Sequence, residues 1–114
     1  MTMVKGEWLG EFEQVVLLAV ARLGESGYGL TIRREIEART GRRVSAGAVY
    51  ATLVRLEEKG YVGSYSGEST ARRGGRAKRH YRLKSAGARA LETTRRMLDR
   101  MWEGAEPLGR ARRV

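Results

Sequence analysis

Glycines at positions 24, 41 and 60 each close a segment whose apolar residues repeat at the helical period. This punctuation divides the first sixty residues into three helices joined by short turns. From about Glu7 to Leu23 the apolar positions are Trp8, Phe12, Val15, Val16, Ala19, Val20 and Leu23, and the run Val15–Ala21 is apolar all round. A segment of that kind is buried on more than one side. A second helix is expected from Ser26–Tyr28 to about Thr40, capped by Ser26, with Tyr28, Ile32 and Ile36 inward and Gly41 as its left-handed stop. A third is expected from the Ser45 cap to about Lys59, with Val49, Leu53 and Leu56 inward. At 100° per residue its far face carries Gly47, Ala51, Val54 and Glu58, flanked by Tyr50 and Arg55. The first two turns thus show a small outer surface, Ala46, Gly47 and Ala51, that can lie close against another body.

The pattern changes after Gly60. Residues 61–66 and 78–83 are short, β-branched or aromatic runs, read as two strands of a hairpin. Gly67 to Ala77, with glycines at 67, 74 and 75, reads as a mobile loop at its tip. A last helix is expected from Ser85 to Glu103–Ala105, with Leu91, Thr94, Met97, Leu98, Met101, Trp102 and Ala105 along one stripe. The division expected is a body over residues 1–84, a terminal helix over 85–108, and a basic, disordered tail over 109–114.

Charge sharpens this reading. The 114 residues carry a formal net charge of +10, yet residues 1–60 contribute only +1 and residues 61–114 contribute +9. Arg72, Arg73, Arg76, Lys78, Arg79, Arg82 and Lys84 form a block without one acidic residue. Such a block repels itself unless an anion neutralises it. With no cysteine and one histidine, thiolate chemistry and histidine metal clusters are excluded, so no metal and no cofactor are expected. No relay of histidines, nucleophile elbow or phosphate-binding loop is present, which speaks against an enzyme. No apolar run approaches the roughly 20 residues that cross a bilayer. Glu7, Glu11 and Glu13 also break any signal-peptide layout, so a cytoplasmic protein without membrane partners is expected.

The order helix, helix, helix, hairpin, helix is mainly α with a small β-hairpin. It is the plan of a winged helix-turn-helix with an added C-terminal dimerisation helix. On that plan the third helix enters the major groove of double-stranded DNA and the hairpin lies on the phosphates. The candidate DNA contacts are Arg42, Arg43, Ser45, Ala46, Gly47, Tyr50, Ala51 and Arg55, with Arg72, Arg73, Arg76, Lys78 and Arg79 on the wing. Arg55 has Glu57 or Glu58 as alternative partners. His80 reads as a strand histidine with a satisfied ring. The competing function is a winged-helix protein-interaction module without operator specificity. Leu91, Thr94, Leu98, Met101 and Trp102 exceed what one small core can cover, which points to a homodimer through the last helix.

Four collinear pieces carry a family resemblance. They are Gly27-Tyr28-Gly29-Leu30, Ser45-Ala46-Gly47-Ala48-Val49-Tyr50, the run from Leu53 to Tyr61, and the run from Arg76 to Gly87. Over about residues 9–105 the chain resembles the PadR-like transcriptional regulators, in their short form with a single C-terminal helix. It departs at Ala46 and Ala51, where the family often has proline. The resemblance implies a dimeric repressor on a palindromic operator, with Tyr50 reaching a phosphate. It also implies a drug-like or phenolic effector against interface aromatics, for which Trp8 and Trp102 are the candidates.

Overall fold

A computed structural model describes residues 8–67 and 78–105. Its elements are α1 (Glu11–Leu23), a 3₁₀ turn (Gly24–Ser26), α2 (Gly29–Thr40), α3 (Ala46–Glu58), β1 (Val62–Ser66), β2 (Arg79–Leu83) and α4 (Ser85–Trp102). The expected loop beyond Gly67, including Arg72, Arg73 and Arg76, lies outside the described residues, as does the expected tail 109–114.

Helices α1, α2 and α3 pack against one another around a single core. Leu17, Ile32, Leu53 and Leu56 are its largest fully buried side chains. Removing each from water contributes about 1.5–3 kcal/mol. The apolar run of α1 is buried over a broad arc but not all round. Val16, Leu17, Ala19 and Val20 are inside, but Leu18 is exposed.

Local chemistry sets the helix ends. The second helix begins later than Ser26. Tyr28 is its extended N-cap residue. Thr31 Oγ1 accepts the Tyr28 N–H at 3.0 Å and donates to the Ser26 carbonyl at 2.5 Å. The cap therefore comes from a threonine inside the helix, and Ser26 contributes its backbone. Gly41 closes α2 with φ +70°, a left-handed conformation costly for any residue with a Cβ. The Glu37 carboxylate then accepts the Val44 N–H at 3.1 Å, which turns Val44 into the core just ahead of α3.

β1 and β2 form an antiparallel pair in which Val62 faces Leu83, Ser64 faces Tyr81 and Ser66 faces Arg79. Val62 and Tyr81 are buried, so one side of the hairpin root belongs to the core. The other edge of β2 is engaged as well. Tyr81 N–H donates to the Gly27 carbonyl at 2.8 Å, beside an isolated bridge between Tyr28 and His80. The wing is thereby fastened to the entrance of α2.

α4 leaves the hairpin where Lys84 N–H donates to the Tyr61 carbonyl at 3.0 Å, and it packs on α1. Gly87, Ala90 and Thr94 are its buried positions. A Cβ on Gly87 would run into the Tyr61 carbonyl oxygen, so only glycine lets α4 pass this close to the strand. Among the described residues no helix is long and apolar enough to cross a membrane.

Candidate nucleic-acid interface

The exposed face of α3 follows from its cap and its core stripe. Ser45 Oγ accepts the Ala48 N–H at 3.0 Å. Val49, Thr52, Leu53 and Leu56 turn inward. Thr52 was not expected in the core; its hydroxyl donates to the Ala48 carbonyl at 2.8 Å, so burial leaves it satisfied. Ala46, Gly47, Ala48 and Ala51 are exposed, and Tyr50 is 62% exposed. The first turn combines small side chains with the positive end of the helix dipole, an arrangement favourable to a polyanion.

The wing stands beside this face. Tyr28, Leu30, Val49, Tyr50, Lys78 and Tyr81 are among the residues lining a cleft of about 440 Å³ between α2, α3 and β2. Lys78 and Arg79 supply cations on one side of it and Arg33 on another. Arg79 Nη1 donates to Ser64 Oγ at 2.8 Å, and Ser64 donates in turn to Glu57 Oε2 at 2.5 Å. Burial pushes the Tyr81 phenol above its ordinary pKa. The Arg79 charge opposes that rise, and Glu57 and Tyr50 add to it. Tyr81 is thus a neutral strut between wing and helix.

His80 organises the wing root. Its ring stacks on Tyr65 with centroids 5.3 Å apart and meets Tyr28 edge-on at 5.4 Å. Its Nδ1 is buried and has no hydrogen-bond partner among the described residues, unlike the satisfied ring expected. What holds it is aromatic packing rather than a hydrogen bond.

The arginines flanking α3 behave differently from one another. Arg42 Nη1 lies 2.6 Å from Glu11 Oε2, with its guanidinium over the Phe12 ring at 5.2 Å. The hydrogen bond and charge of Glu11 hold the Arg42 pKa above its ordinary value. Arg43 is exposed on the same turn, beside Ser45. Arg55 does not pair with Glu57 or Glu58. Its Nε lies 3.9 Å from Glu13 Oε2 and its Nη2 donates to Thr52 Oγ1 at 3.2 Å. A carboxylate on a first-turn helical position reads as solvated, so the sequence carried no signal that Glu13 is buried.

The last helix presents a separate surface. Leu18, Leu91, Leu98 and Trp102 line a groove of about 540 Å³ between α1 and α4. Met101 and Trp102 are 71% and 60% exposed. Thr94 corrects the expected partner face. It is 1% exposed, buried within its own protomer, and offers nothing to a second chain. Leu91 is half-buried against the core. Trp8 is partly exposed and is not among the residues lining this groove. Among the described residues no group of acidic, histidine or cysteine side chains could hold a metal ion.

A helix-turn-helix followed by an antiparallel hairpin defines a winged-helix protein. The family model described as the transcriptional regulator PadR-like family matches residues 17–93. The chain belongs to that family and is a DNA-binding transcriptional regulator rather than an enzyme. A PadR-like transcription factor from Bacteroides fragilis is 20% identical with a TM-score of 0.72, over 85% of this chain and 88% of that one. A PadR family regulator from Eggerthella lenta is 23% identical with a TM-score of 0.67, over 86% and 85%. One from Clostridium difficile is 23% identical with a TM-score of 0.63, over 92% and 100%. At these identities the three structures speak for the fold. A search among curated proteins returns no match.

Proposed function

We propose that the protein is a cytoplasmic repressor that binds a palindromic DNA operator as a homodimer. The observation that carries this reading is the meeting of the exposed, small-residue start of α3 with the cationic wing across one cleft. Ala46, Gly47 and Ala51 let α3 approach the floor of the major groove, and Tyr50 and Ser45 bring hydroxyls to its rim. Lys78 and Arg79, with Arg43 at the helix entrance, meet phosphates. Arg72, Arg73 and Arg76 belong to the same basic segment. The groove lined by Leu98 and Trp102, with Met101 exposed on the same helix, receives the second copy, and a planar aromatic effector against Trp102 shifts the dimer away from its operator-binding spacing.

Selection of bound duplexes from a random DNA pool tests this reading. A palindromic consensus is expected, with affinity that falls steeply with salt and a preference that survives competitor DNA. Salt-dependent binding with no sequence preference would instead favour the protein-interaction module.

A further inference from the structure

Glu13 is the one charged side chain among the described residues that is almost wholly buried, at 8% exposure. It sits in the first turn of α1, yet it faces cations of α3. Oε1 accepts the Gly10 N–H at 2.9 Å, which ties the start of α1. Oε2 accepts from Lys59 Nζ at 2.9 Å and lies 3.9 Å from Arg55 Nε. Arg55 lies in the last turn of α3 and Lys59 is the residue that caps its C-terminus.

Burial of the carboxylate, rather than of the cations, sets this contact apart from the other flanking pair: the Glu13 side chain is 11% exposed, against 30% for Lys59 and 52% for Arg55. Arg42 and Glu11 are both well exposed, and an exposed pair is held weakly and is screened by salt. A phosphate can take Arg42 from Glu11 at little cost. Glu13 has no such freedom. Losing its cations would leave a largely buried carboxylate without a counter-charge, which costs more than losing an exposed pair.

We infer that Glu13 is a positioning residue for DNA binding, holding Arg55 and Lys59 against α1 and withholding both from the phosphate backbone. The inference rests on the duplex-binding reading above, and it reassigns Arg55 from a DNA contact to an internal tether. A cation free at the far end of α3 would attract any duplex regardless of sequence. Tethering it limits sequence-blind affinity and leaves the contact count to the wing and to the entrance of α3.

The test measures binding of the full chain to a random-sequence duplex across a salt series. Glu13→Gln keeps an acceptor for Gly10 and the side-chain volume but removes the charge. It is expected to tighten binding and to steepen the log–log salt slope by about 0.9 for each cation released. Each released cation then adds roughly a 3.5-fold further loss of affinity for a fourfold rise in salt. Adding Lys59→Gln and Arg55→Gln to Glu13→Gln should return the slope to the native value. Lys59→Gln alone should leave it unchanged. An unchanged or shallower slope for Glu13→Gln overturns the inference, as does a shallower slope for Lys59→Gln alone. If Glu13→Gln does not fold, the Lys59→Gln slope decides by the same criterion. A native chain without salt-dependent duplex binding refutes the proposed function instead.

Discussion

The Lys78 ammonium lies 4.3 Å from the centre of the Tyr28 ring and 3.2 Å from the Tyr28 hydroxyl. Fifty residues apart in sequence, the two bring the root of the wing onto the cap of α2. Both are exposed enough for the ammonium to reach outward as well. Lys78→Ala should therefore cost little stability, about 0.5–1 kcal/mol for an exposed cation–π contact. It should remove one phosphate contact, lowering the salt slope of duplex binding by about one unit. Wild-type slope and affinity in Lys78→Ala would show that this side of the wing does not touch DNA.

Gly87→Ala addresses the joint between hairpin and terminal helix. The added methyl has no space beside the Tyr61 carbonyl, and backbone cannot swing aside as a side chain can. Forced overpacking of this kind costs about 1–3 kcal/mol. Urea unfolding should show a lower midpoint with an unchanged slope. A midpoint equal to that of the native chain would mean that α4 shifts freely on α1.

These contacts differ in how far the sequence foretold them. The Ser45 cap, the Val49, Leu53 and Leu56 stripe and the stop at Gly41 depend on neighbours within a turn, so residue type and spacing were enough. The burial of Glu13 depends on Lys59, which is 46 residues away. The aromatic setting of His80 depends on Tyr28 across the bridge. Thr52 and Thr94 are buried because a small polar side chain fits against a neighbouring element, which periodicity alone does not reveal. Leu18 misled in the opposite direction, since an apolar residue on an apolar helix reads as core even where no element covers it.

Glu13 also gives the fold an acid-sensitive joint. Burial raises its pKa, but the Gly10 N–H and the Lys59 and Arg55 charges outweigh burial, and the net position is below the ordinary value of 4.5. A carboxyl with a depressed folded pKa contributes stability that is present above its unfolded pKa. That contribution is lost as pH falls through the lower, folded value. Thermal melts should therefore show the native chain losing its advantage over Glu13→Gln as pH drops below about 4.5. A difference between the two that stays constant from neutral pH to pH values well below this range would mean that the Glu13 charge contributes nothing to the fold.

The exposed end of α4 carries the remaining prediction. Leu98, Met101 and Trp102 project from a helix whose inner positions, Gly87, Ala90 and Thr94, are already covered by the same chain. Leu98 and Trp102 share the groove with Leu18 of α1 and with Glu92, Arg95 and Asp99, and a second copy of α4 is a self-complementary cover for it. Leu98→Asp places a charge in that surface while leaving the protomer core untouched. It should sediment as a monomer where the native chain sediments as a dimer. The isolated winged helix should still bind duplex DNA, but with the affinity of one half-site. Palindrome preference should disappear because the two recognition helices are no longer spaced for successive major grooves. A Leu98→Asp chain that remains a dimer would move the subunit contact away from this groove, and Trp102 would then be exposed for some other purpose than pairing.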